Sequence, residues 1–255
     1  MPKCRDIISF LEQIAPVELA EEWDNTGFQV GNRDDNVDKV LVCLDITSAS
    51  VKEALSRKVN LIVTHHPLIF KGLKRVIEGE EKGDILYELI RNGINVYSAH
   101  TNLDYAESGV NDHLARTLRI NKTVRLGEGP GLVGEIEKEL NLDDFISSVK
   151  KHLNVPFVRV VGKREKMIKK VAVFCGSFDG NLNCIIESGA DVLVTGDLKY
   201  HSALEAVEEG ICIIDAGHFN TEKIIVPVLA EAISGRFPQI DVYYFENEED
   251  PFKTC

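Results

Sequence analysis

Short apolar runs recur along the chain at Val40–Leu44, Leu61–Val63, Val171–Phe174, Val192–Gly196 and Ile211–Asp215, with a further strand expected at Ile94–Ser98. Runs this short and this uninterrupted read as strands buried on both faces. Stretches of helical periodicity lie between them, at 4–14, 49–57, 83–92, 142–153, up to Ser188, at 201–208 and at 221–233. Strand and helix alternating at this spacing predict an α/β protein with mostly parallel central sheets. Further strands are expected at Leu132–Glu137, Phe157–Val161 and Val242–Phe245. The strongest breaker cluster, Gly127–Gly131, starts a different rhythm in the middle of the chain. Two linked α/β lobes are therefore expected, a larger one over 1–125 plus 191–255 and a smaller one over 126–190.

Charge and apolar length exclude several function classes. The net charge of −12 repels a phosphate backbone at long range, so direct nucleic-acid binding is disfavoured. The basic run Lys163–Lys170 reads as a solvated loop before a strand. No apolar run approaches the roughly 20 residues of a membrane span, and the polar start Met1–Asp6 lacks a secretory core. The six cysteines include no CxxC pair. Reduced thiols in a cytoplasmic protein are expected, with Cys43, Cys175 and Cys212 as small buried side chains.

The chemistry-bearing residues collect just beyond strand ends, the edge where open parallel sheets bind ligands. Thr64-His65-His66-Pro67 offers two adjacent imidazoles that diverge, which suits two neighbouring metal positions; the plain alternative is one capping and one exposed histidine. Ser98–Asp104 adds His100 and the carboxylate of Asp104, although an Asn-Leu-Asp turn is also common loop chemistry. In Asp215–Glu222, His218 and Glu222 are four residues apart and share a helix face if the helix begins by His218. Glu222 as a simple helix-start acid is the alternative. Thr195–His201 brings Asp197, Lys199 and His201, which either line a pocket or solvate a loop. Asp24 and Asn25 either lie near the mouth of a site or fix a turn. His113 and His152 read as surface or satisfied positions.

Taken together, these segments and Glu22-Trp23-Asp24-Asn25-Thr26-Gly27-Phe28-Gln29-Val30-Gly31 resemble the Nif-three-like dinuclear metal proteins, often labelled GTP cyclohydrolase 1 type 2 homologs. The resemblance covers nearly the whole chain and corresponds to the short form, without an inserted domain. It implies two α/β lobes assembled as a toroidal homohexamer, a trimer of dimers, with two divalent ions per chain (Zn, Fe, Mn or Ni). It assigns His66 and Asp104 to one ion, His65 and His218 to the other, and Glu222 as the bridge. His100 and His201 are the acid–base candidates. The implied activity is a hydrolase acting on a nucleotide-like or small anionic substrate through a metal-bridging hydroxide, with opening of the GTP ring as its specific form. Metal handling or regulation without turnover is the alternative. The chain has no Walker-type loop, and Lys71, Lys74, Arg75 and Lys199 are the cations available to a phosphate. Gly196-Asp197-Leu198-Lys199-Tyr200-His201 departs from the family, where many relatives carry Gly-Glu and a second His.

Overall fold

The computed structural model describes residues 1–163, 165–178 and 181–253; Arg164 of the basic run and Cys255 lie outside these. The chain runs through α1 (Cys4–Ile14), a 3-10 turn (Val17–Leu19), β1 (Gly27–Val30), β2 (Lys39–Cys43), α2 (Ser48–Arg57), β3 (Leu61–Thr64), α3 (Glu81–Arg91), β4 (Asn95–Ser98) and α4 (Thr101–Tyr105). It continues with α5 (Val110–Thr117), β5 (Ile120–Arg125), β6 (Leu132–Asn141), α6 (Leu142–Leu153), β7 (Arg159–Val161), β8 (Met167–Ser177) and α7 (Leu182–Ser188). The last elements are β9 (Val192–Gly196), α8 (Tyr200–Glu208), β10 (Cys212–Asp215), α9 (His218–Glu222), α10 (Ile225–Arg236) and β11 (Asp241–Tyr244).

Two compact units result. The first holds Met1–Ala106 and Ile225–Glu249, the second Glu107–Ile224 and the residues from Asp250 on. The first unit's sheet has the order β1-β4-β3-β2-β11, parallel except for the edge pair β1–β4. Leu41 and Cys43 of β2, Ile62 of β3 and Val96 of β4 are buried in one cluster with Val51 and Ala54 of α2 and Ile85, Leu86 and Leu89 of α3. α10 packs on β2 and β11. Burying an aliphatic side chain in this way contributes about 1.5–3 kcal/mol. α2 starts on a reciprocal cap, with Ser50 N–H donating to Thr47 Oγ1 at 3.2 Å and Thr47 N–H donating to Ser50 Oγ at 2.8 Å.

The second unit's sheet has the order β5-β6-β8-β9-β10-β7, with parallel β8–β9 and β9–β10 at its centre and antiparallel pairs outside. Val133, Ala172, Leu193 and Ile213 of its central strands pack with Leu182 and Ile185 of α7 and Ala206 of α8. Strand pairing divides the chain differently from the expected 1–125 plus 191–255 and 126–190. Val192 pairs with both Val171 and Cys212, so β9 and β10 belong with the middle of the chain.

The helix expected at 221–233 is two helices, α9 and α10. Pro227 lacks an N–H and would clash with the carbonyl four residues back, so it is tolerated only in a first turn, and α10 starts just before it. Of the described cysteines, Cys4, Cys43, Cys175 and Cys212 are buried, and burial pushes the thiol of Cys4 up to about 12. Among the described residues no helix is long and apolar enough to cross a membrane.

Candidate functional site

In the first unit, parallel register sets Cys43, Thr64 and Ser98 level, so β2, β3 and β4 end together. The residues that emerge at this edge are Asp45, His65 with His66, and His100. Hydrogen bonds continue past the strands and fix this backbone. His66 N–H donates to the Leu44 carbonyl at 3.0 Å, Ala99 N–H to that of Thr64 at 2.9 Å, and Ser98 Oγ to that of His65 at 2.8 Å. The half-buried carboxylate of Glu248 accepts from Leu44 N–H at 2.8 Å and Asp45 N–H at 2.9 Å, holding the exit of β2. Burial raises the Glu248 carboxyl against those hydrogen bonds.

Each imidazole at this edge has its Nδ1 on an oxygen. His65 meets the Ala99 carbonyl at 2.8 Å, His66 meets Asp45 Oδ1 at 3.0 Å, and His100 meets Asp24 Oδ1 at 2.7 Å. An Nδ1 facing such an acceptor carries the proton, which makes Nε2 the lone-pair atom. Fixing the tautomer and ring orientation from behind is how proteins prepare histidine for metal ligation. A ligand nitrogen from each of His65, His66 and His100 lies within 4.8 Å of the others. Asp104, largely buried on α4, places Oδ1 3.7 Å from His65 Nε2. The resemblance pairs Asp104 with His66; the contact seen joins it to His65.

Asp24 is fully buried as a side chain. Besides His100, it accepts from Thr101 N–H at 3.1 Å and Thr101 Oγ at 2.6 Å. Burial works to raise its carboxyl, but the hydrogen bonds from His100 and Thr101 outweigh it and hold the group down at about 2. Of the two sequence readings for Asp24, the structure therefore gives it a holding role, on both His100 and the first turn of α4.

The second unit builds its donors on a single helical turn. α9 packs on β8 and β9, and Gly217, with φ 90°, provides the sharp turn from β10 into it. His218 Nδ1 faces Asp197 Oδ2 at 2.8 Å, and His218 Nε2 lies 3.0 Å from Glu222 Oε2. Glu222 is 3% exposed. Gly176, with φ 61°, stands where any side chain would overlap the Glu222 carboxylate, and a Cβ on Gly196 would press on the His218 backbone. Thr221 Oγ1 accepts from Gly176 N–H at 3.0 Å, tying α9 to β8.

Asp215 organises this turn. Its buried carboxylate accepts from Leu198 N–H and Gly217 N–H, both at 3.0 Å, and pairs with Arg159. It thereby fixes the two loops that carry Asp197 and His218. Asp197 adopts a left-handed conformation, φ 47°, that only a few residue types tolerate.

His201 is exposed at the start of α8, its ring 5.5 Å from that of Tyr200. Lys71, Lys74, Arg75 and Lys199 are exposed, and Arg75 pairs with Glu80 at 3.1 Å. His152 bonds the Ser148 carbonyl at 2.8 Å, and His113 is half-buried on α5. Sequence reasoning missed Asp45, the orienting partner of His66. Its signal was available, since it is an acid just past an apolar strand, like the residues that were found.

In this α/β protein, oriented imidazoles and carboxylates form donor groups that could hold a metal ion. The chain belongs to the Duf34/NIF3 (NGG1p interacting factor 3) family, whose sequence profile matches residues 2–251. It is 37% identical to a Clostridium perfringens protein named GTP cyclohydrolase 1 type 2 homolog, over 98% of this chain and 99% of the relative. A Helicobacter pylori relative named GTP cyclohydrolase 1 type 2 is 34% identical, covering 97% of this chain and 98% of its own length. Among solved structures, a Staphylococcus aureus hypothetical protein superposes with a TM-score of 0.94 at 31% identity, covering 99% of both chains. A Bacillus cereus protein related to NIF3 gives 0.94 at 26% identity, covering 100% of this chain and 99% of its own.

Proposed function

We propose that this protein is a metal-dependent hydrolase holding two divalent ions per chain on His65, His66, Asp104, His218 and Glu222. His65 and Asp104, 3.7 Å apart, would serve one ion, and Glu222 would be the carboxylate shared with the other. The observation that carries this reading is the consistent Nδ1 orientation. His65, His66 and His218 each have an oxygen acceptor behind the ring, at 2.8, 3.0 and 2.8 Å. Imidazole nitrogens with carboxylate oxygens fit Zn, Fe, Mn or Ni, so the donor chemistry suits the group.

Two such ions supply Lewis-acid activation of water and stabilise developing negative charge. The chain's own residues do the rest. Asp45, Asp197 and the Ala99 carbonyl fix which ring nitrogen carries the lone pair. His100, held by Asp24 at 2.7 Å, moves a proton at Nε2. The substrate is nucleotide-like or a small anion. Opening of the GTP ring is the form the relatives' names support; a cytoplasmic homohexamer is the assembly that goes with this proposal. Without turnover, the same donors describe a metal-handling protein.

The test is elemental analysis of chain purified without chelator, paired with a GTP-hydrolysis assay on the same sample. Two ions per chain with a ring-opened product supports the hydrolase. Two ions without turnover on any nucleotide leaves metal handling.

A further inference from the structure

Trp23 is the chain's one tryptophan, and it is 60% exposed. Phe70, 40% exposed, meets it edge to face with ring centroids 5.8 Å apart. Both rings also stand edge-on to His100, Trp23 at 6.2 Å and Phe70 at 6.0 Å. Large aromatic surface left in water beside a polar site is costly unless something covers it.

The two loops that carry these rings are fastened to each other. Asn25 Nδ2 donates to the Ile69 carbonyl, Ile69 N–H donates to Gln29 Oε1 at 3.0 Å, and Gln29 Nε2 donates to the Asn25 carbonyl at 2.6 Å. Next to Trp23, Asp24 is buried and bonded to His100 and Thr101. The rings are thus presented on a braced frame, so little entropy is lost when a ligand settles on them. Neither ring carries a charge, so the pair does not select a phosphate or a carboxylate. What it selects is a flat π-face.

We propose that Trp23 and Phe70 form a stacking subsite that holds a planar heteroaromatic ring beside His100. For the reaction this rests on the hydrolase reading above, but the stacking contact itself uses no metal ion. It places ring recognition in the aromatic pair, leaving any anionic portion of the ligand to other groups.

The single tryptophan makes the test direct. Guanosine, which has a base and no phosphate, is titrated into the full chain while Trp23 emission is followed. Ribose 5-phosphate serves as the ringless control. Saturable quenching by guanosine, with none from ribose 5-phosphate, is expected. Phe70→Ala should weaken guanosine binding roughly 5- to 150-fold, the usual loss of one stacking partner. Trp23→Phe should keep binding by equilibrium dialysis while Trp23→Ala loses it, with circular dichroism confirming that each variant is folded. Saturable quenching in a metal-stripped sample supports the subsite even if the hydrolase reading fails. No guanosine binding in a metal-loaded chain, or equal binding by folded Phe70→Ala, overturns it.

Discussion

The two units prepare histidine in different ways. In the first, the imidazoles stand at the ends of parallel strands, and the strand register itself sets them level. One acceptor is a backbone carbonyl, at Ala99, which no side-chain substitution removes. In the second, one imidazole and one carboxylate share the turn of a five-residue helix, and space for them is cleared by glycines at 176 and 196. The first arrangement draws its precision from the sheet. The second draws it from a few irreplaceable local residues, and so should be the easier one to break.

The largest expected effect is at Glu222. Glu222→Ala should deplete both ions while circular dichroism shows the fold intact, and elemental analysis reads this directly. Loss of one ion alone would refute the shared role. His66→Ala should lose bound metal in the same assay.

Next come the orienting acids. Asp45→Ala and Asp197→Ala should each weaken metal affinity about 10- to 100-fold, measured by competition with a chelator. An unchanged affinity in both would mean that the Nδ1 contacts do not prepare the ligands.

Backbone strain sharpens the contrast between the units. Gly176→Ala forces a side chain into the left-handed region and against Glu222, which should cost about 1–3 kcal/mol in denaturant unfolding. Gly72→Ala, where a Cβ meets open space, should stay within about 0.5 kcal/mol.

Asp24 gives the pH signature. Its folded pKa is depressed to about 2 from 3.8, so its contribution is fully present above pH 3.8 and is lost as pH falls through 2. Asp24→Asn should therefore lower stability by about 2 kcal/mol at neutral pH. The difference in melting temperature between wild type and variant should narrow below pH 4. A gap that stays constant from neutral pH down to pH 3 would contradict the assignment.

The strands buried on both faces were readable because their apolar runs admit no other use. The edge strands β1 and β5 were not readable, since their half-buried patterns leave no continuous apolar run. The division of the chain was hidden for a different reason. Nothing in the composition of Val192–Gly196 says that it pairs with Val171 rather than with the earlier strands; register is decided by the partner. In the site, histidines stand out by type, whereas the orienting roles of Asp45, just past β2, and Asp215, at the end of β10, show only in their hydrogen bonds. The break between α9 and α10 was present in Pro227, but the apolar stretch around it masked it.

Metal content per chain after purification without chelator, repeated after reconstitution with Zn, Mn, Fe and Ni, decides whether these donors form a metal centre. Two ions per chain, lost together in Glu222→Ala, is the expected result. A folded chain that holds none and takes up none on reconstitution would contradict a metal centre on these residues.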